Sequence, residues 1–91
     1  MFDLTGFQRD LLVAIRNYDG DKPHGLLFKD QMSDLRGVEI NHGRLYPNLD
    51  ELVERGLVEK GEYDRRTNTY HVTDDGHAAL DEWFEWAESE A

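Results

Sequence analysis

Asn41, His42, Gly43, Arg44, Tyr46 and Asn48 crowd into one short stretch of the chain. Leu45 and Leu49 lie among them at helical spacing, so the leucines face a core and their polar neighbours face outward. Asn41 is a good N-cap for that helix. Free backbone N–H groups at a helix start suit a phosphate. Arginine is the commonest bidentate reader of guanine, and asparagine suits adenine. Gly43 has no side chain to hold a nucleic-acid backbone away. The same segment, taken alone, also reads as a solvated amphipathic helix with incidental polar residues.

A second candidate is Arg65-Arg66-Thr67-Asn68. Thr and Asn are ordinary turn residues, but two adjacent arginines in so acidic a chain suit phosphate or minor-groove contact. A third is the aromatic C-terminal stretch Leu80, Trp83, Phe84, Trp86 and Ala87. Part of it can pack on the first helix. The rest is more apolar surface than a lone terminal helix needs, and two-fold pairing is the commonest assembly. A dimer would present two reading heads ~34 Å apart to a pseudo-palindromic site.

Enzymatic chemistry finds little support. His24, His42, His71 and His77 do not fall in pairs on one helical face, and no His-Glu-x-x-His occurs. Asp75, His77 and His71 make at best an imagined metal site. A Gly-rich phosphate loop, a Gly-x-Ser-x-Gly and a Ser/His/Asp arrangement are all missing. No catalytic residue, metal or cofactor is expected.

The elements that must position these residues follow from periodicity. Thr5-Gly6-Phe7-Gln8 has the capping-box form, and Phe7, Leu11, Leu12, Ile15 and Tyr18 make a helical stripe that stops near Asn17 to Gly20. A second helix runs from His24 or Gly25 to Arg36, with Leu27, Phe28, Met32 and Leu35 on one face and Gly37 ending it. Lys29 and Gln31 lie on it as candidate DNA-backbone contacts. Val38 to Ile40 could pair as a minor strand. The third helix begins after Asn41. It buries Leu45, Leu49, Leu52 and Val53, ends at Gly56 and should kink at Pro47. Leu57 to Tyr63 and Thr69 to Val72 read as a hairpin around the loop Asp64 to Asn68. Thr73 caps a last helix, with Asp74 and Asp75 at its positive end.

The expected fold is mainly α with a small β-hairpin: a winged helix-turn-helix of three helices, a hairpin wing and a C-terminal dimerisation helix. Residues 1–72 form the DNA-binding part and 73–91 the dimerising helix. In this arrangement the third helix enters the major groove and the hairpin touches flanking backbone.

The chain has 91 residues, 20 acids against 10 Lys and Arg, a net charge of −10 and no cysteine. That length allows one small core and favours a binding module over a cleft enzyme. Zero cysteine excludes disulfides, thiolate zinc sites and cysteine catalysis. No signal peptide or membrane span is visible, so a cytoplasmic protein without membrane partners is expected. Net acidity argues against nucleic acid. In molar salt, however, the Debye length falls to ~3 Å and repulsion hardly extends beyond contact. The charge is also uneven. Six of the ten basic residues lie between Arg36 and Arg66, and none lies beyond.

The run Asn41-His42-Gly43-Arg44-Leu45-Tyr46-Pro47-Asn48-Leu49 resembles the helix-three signature of the PadR family of transcriptional regulators, with its Gly-x-Leu-Tyr-Pro core. Leu52 to Val58 matches that family's run into the wing. Tyr70-His71-Val72-Thr73-Asp74-Asp75-Gly76 is similar to its strand-to-helix junction. The opening Asp3 to Leu12, the Pro23-His24-Gly25 turn and the Asp64 to Asn68 wing resemble haloarchaeal members. The resemblance implies a homodimeric regulator of double-stranded DNA, usually a repressor, in a salt-rich cytoplasm. It implies that Arg44 and Tyr46 face DNA, that Gly43 permits close approach, that Arg65 and Arg66 sit on the wing, and that Leu80 to Ala87 pair. Many members of the family sense a small ligand, so an effector is possible, but no residue set in this sequence indicates one. A second reading, a winged-helix module that binds another protein through Trp83, Phe84 and Trp86, is favoured by the acidity. The retained Arg44, Arg65 and Arg66 oppose it.

Overall fold

Thr5 opens the first helix by reciprocal capping. Its hydroxyl accepts the Gln8 N–H at 3.1 Å, and Gln8 Oε1 accepts the Thr5 N–H at 3.4 Å. The computed structural model describes residues 4–90. Asp3 of the opening motif and both extreme ends of the two-part division lie outside them. From the Thr5 cap runs α1 (Gly6–Asn17), followed by α2 (Gly25–Arg36), which ends on Gly37 at φ 70°. Helix α3 (His42–Glu54) starts from Asn41, whose Oδ1 accepts the Arg44 N–H at 2.9 Å, and runs unbroken through Pro47. Strands β1 (Val58–Asp64) and β2 (Thr67–Val72) form an antiparallel hairpin, and α4 (Asp74–Glu90) closes the chain. This is the expected winged helix.

One core gathers Leu11, Leu12, Phe28, Leu45, Leu49 and Leu52 with Leu57, Tyr70 and Leu80. The start of α4 is tied to the end of α3. The Thr73 hydroxyl donates to the Gly56 carbonyl at 2.6 Å and accepts the Gly76 N–H at 3.1 Å, while the Thr73 N–H reaches the Leu57 carbonyl at 3.1 Å. Gly76 lies so near that a Cβ there would collide with the Leu57 carbonyl oxygen. The Thr-x-x-Gly motif is therefore a packing requirement: a hydroxyl to join two elements and a hydrogen to let them touch.

Three local expectations are corrected. Val38 to Ile40 forms no strand; Ile40 is buried and Val38 exposed. The extra pairing comes from the turn before α2, where His24 bridges Thr69 and the Pro23 carbonyl accepts the Tyr70 N–H at 2.9 Å. That turn is adjacent to the wing, and the Val38 link is not paired with it. Leu35 leaves the core face and is 65% exposed. The wing loop is also shorter than expected. Asp64, Thr67 and Asn68 are strand residues, and only Arg65 and Arg66 form the turn. Neither arginine adopts positive φ, and the register slips between Glu62 and Asp64. A bulge thus supplies the twist that a left-handed turn residue would otherwise give.

Candidate nucleic-acid interface

Helix α3 turns Leu45, Leu49 and Leu52 inward, so its outermost line is Gly43, Pro47, Asp50 and Glu54, all exposed. Its charge is divided along its length. The first turn has no acid and carries His42 and Arg44, while Asp50, Glu51 and Glu54 occupy the later turns. The positive end of the helix dipole adds to the first half. Only the N-terminal half therefore attracts phosphate. Gly43 keeps that half smooth. A Cβ there would meet only Asn41 Oδ1, at 3.3 Å, the oxygen that caps the helix, so the fold asks of a side chain here only a small shift of that cap.

Arg44 is exposed and its guanidinium carbon lies 4.2 Å from the centre of the Phe7 ring, with Arg36 at 5.4 Å from the same ring. Arg36 is paired to Asp10 at 2.8 Å. Arg44 has no carboxylate partner among the described residues, so its charge is held by an aromatic face and is free to meet an anion.

Tyr46 occupies the other flank of α3. Its ring meets His42 edge-on at 5.6 Å and lies over Gly25. It forms one wall of a cleft of about 290 Å³ between α2, α3 and the wing. The α2 start contributes His24, Gly25 and Leu26; the wing contributes Arg66, Thr67, Asn68 and Tyr70. The cleft thus joins recognition-helix and wing candidates far apart in sequence. Spacing alone did not single out His24, Leu26 and Tyr70; the signal was the Pro23-His24-Gly25 turn, whose role emerges only once it pairs with β2.

The wing tip is stiffened by Asp64, whose Oδ1 accepts the Arg66 N–H at 2.9 Å. That backbone bond, with smaller help from Thr67 and Lys22, holds the Asp64 carboxyl below its ordinary range. Arg65 is exposed at the turn.

Other candidates are placed elsewhere. Asn48 is turned toward α1: its Oδ1 accepts from Gln8 Nε2 at 3.1 Å and its Nδ2 donates to the Arg44 carbonyl at 2.7 Å. Gln8 Nε2 also bonds the Glu51 carboxylate. Asn48 thus braces the recognition helix, and its amide is already engaged. Gln31 does not line the cleft; it shares an outer groove of α2 with Asp30 and Asp34 that meets the cleft at His24 and Leu26, and Lys29 is half-buried. On α4, Leu80 is fully buried in the chain's own core and offers no surface to a partner. Trp83 packs under the Arg9 guanidinium at 4.4 Å, and Arg16 lies 5.5 Å from Phe84. Phe84 remains 38% exposed and Trp86 50%.

No helix is long and apolar enough to cross a membrane among the described residues, and none of them form a cluster of three or more metal-ligating side chains.

The family described as Transcriptional regulator PadR-like family matches residues 12–82. RosR of H. salinarum, crystallised from NaBr, is 45% identical; the alignment covers 97% of this chain and 77% of RosR, with a TM-score of 0.87. The RosR-S4 complex structure gives 45% identity, 97% and 74% coverage and a TM-score of 0.88. The RosR-S1 complex structure gives 45%, 96% and 75%, with 0.86. No curated protein sequence matches the chain.

Proposed function

The chain belongs to the PadR-like family of transcriptional regulators, and from that premise we propose that it is a homodimeric repressor acting in a salt-rich cytoplasm. It is a DNA-binding regulator of winged-helix fold, and its family is one of regulators and not of enzymes. Two copies of α3 enter successive major grooves, and binding near a promoter blocks transcription.

The observation that carries this reading is the division of charge along α3. A helix whose first half carries His42, Gly43 and Arg44, and whose second half carries Asp50, Glu51 and Glu54, has one favourable way to meet a polyanion: first turn inward. Winged-helix and helix-turn-helix proteins read base edges from that end. Arg44 and His42 reach bases; Tyr46, Arg65, Arg66, Thr67 and Asn68 hold the backbone. Gly43 lets the two backbones approach. Trp83, Phe84, Trp86 and Ala87 supply the pairing face, supported by the exposure left on Phe84 and Trp86. No feature of the cleft or helices specifies a small-molecule effector.

The test is selection of duplexes from a random-sequence pool by the wild-type protein, repeated with Arg44→Ala. Removing a base-reading arginine costs about 1–3 kcal/mol and relaxes preference at one position of each half-site. An equal loss on every sequence would remove Arg44 from base reading.

A further inference from the structure

Tyr70 is 2% exposed, and its backbone is fixed by the Pro23 carbonyl. No protein group bonds its hydroxyl among the described residues. None of those residues has a side-chain polar atom that is both fully buried and without a partner. The small exposed part of Tyr70 therefore includes its hydroxyl, and Tyr70 opens into the cleft between α2, α3 and the wing.

Three further features share that cleft. His24, the N-cap of α2, gives no side-chain bond to the first N–H groups of the helix, so its own side chain does not occupy those donors. Arg66 lines the cleft without a carboxylate partner among the described residues. Asn68 adds an amide. Burial first, then Asp50 and Tyr46, push the Tyr70 phenol above its ordinary range, which keeps the hydroxyl a proton donor. Asp50, whose charge opposes an anion, does not line the cleft, and the lining itself holds donors and no carboxylate, which suits an anion. Its volume, about 290 Å³, is at the bottom of the range for drug-sized ligands and ample for one phosphate group.

Resting on the reading that α3 and the wing bind DNA, we propose that this cleft seats one phosphodiester of the DNA backbone, with the Tyr70 hydroxyl, Arg66 and the α2 N-terminus as its ligands. The cleft lies between α3 and the wing, the two elements that the proposed reading sets against DNA. Tyr70 carries no sequence information in this role. It fixes register, so that Arg44 meets the correct base.

The test is Tyr70→Phe, measured on a duplex selected by the wild-type protein and on a scrambled one. The hydroxyl has no partner among the described residues, so the melting temperature of the free variant stays at or above the wild-type value. A hydrogen bond to a charged phosphate is lost on DNA, so affinity falls about tenfold on both duplexes and their ratio is preserved. A single methylphosphonate in each half-site reproduces that loss for the wild type and adds nothing for Tyr70→Phe. Wild-type affinity in Tyr70→Phe overturns the proposal, as does a fall in melting temperature that accounts for the binding loss. Inorganic phosphate that fills the cleft of the free protein while leaving DNA affinity unchanged would make this a free-anion site and overturn the proposal too. A wild-type protein that prefers no duplex would overturn the DNA reading beneath it.

Discussion

The Tyr46 ring lies so close to Gly25 that a Cβ on that glycine would come within 2.6 Å of the phenol oxygen. The start of α2 and the flank of the recognition helix are therefore fitted to each other through one missing side chain. Gly25→Ala must displace Tyr46 or part the two helices, at a cost of about 1–3 kcal/mol. Urea unfolding will show the loss, and DNA affinity will fall with it because Tyr46 forms the cleft wall. Unchanged stability would mean that Tyr46 moves aside freely and sets no geometry.

Gly43 makes the opposite prediction. Its missing Cβ would meet only Asn41 Oδ1 at 3.3 Å. Gly43→Ala should change stability by no more than ~1 kcal/mol, the gain of a better helix residue set against a small shift of the Asn41 cap. DNA affinity should nevertheless drop, because the methyl stands between α3 and the duplex. The paired readouts, melting temperature and anisotropy, must move independently; equal affinity would place Gly43 away from DNA.

Asp64 gives the wing a pH dependence. Its carboxyl is held below the ordinary value in the folded wing, chiefly by the Arg66 N–H. A depressed folded value means the stabilisation is complete above the unfolded pKa and is lost as pH falls through the folded one. The Arg66 amide resonance should therefore hold its position through neutral and mildly acidic pH, then shift below the ordinary carboxylate range. Asp64→Asn should abolish that titration. A shift centred near neutrality would contradict the assignment.

The net charge of −10 predicts an unusual salt response. Each lysine or arginine contact to phosphate releases counterions, so ordinary binders weaken steeply as salt rises. Here a twofold excess of acids repels the duplex as a whole and would hold cations beside it. Log affinity against log KCl should be shallow or rising, and a steep fall would contradict this.

The helices were legible because each announces its own ends. Thr5 with Gln8, Asn41, Gly37, Gly56 and Thr73 are local signals, and each acts within a few residues of itself. What stayed hidden depends on contact between distant segments. The pairing of Pro23 and His24 with β2 spans more than forty residues, and no periodicity reports it. Asn48 reads as an outward amide from its helix position alone. Its use by Gln8 becomes visible only when α1 is laid beside α3. Leu80 carries the same lesson: an aromatic-rich helix suggests a partner, yet its first turns are consumed by the chain's own core.

The central claim is sequence-specific recognition by a pair of α3 helices. Its most direct test is fluorescence anisotropy of the purified protein on its own upstream DNA in molar KCl, against a scrambled duplex of equal length and backed by selection from a random pool. The account predicts saturable binding to a preferred sequence with two chains per duplex, weakened by Arg44→Ala. A folded protein that prefers no sequence, in its own upstream region or in the pool, would contradict it.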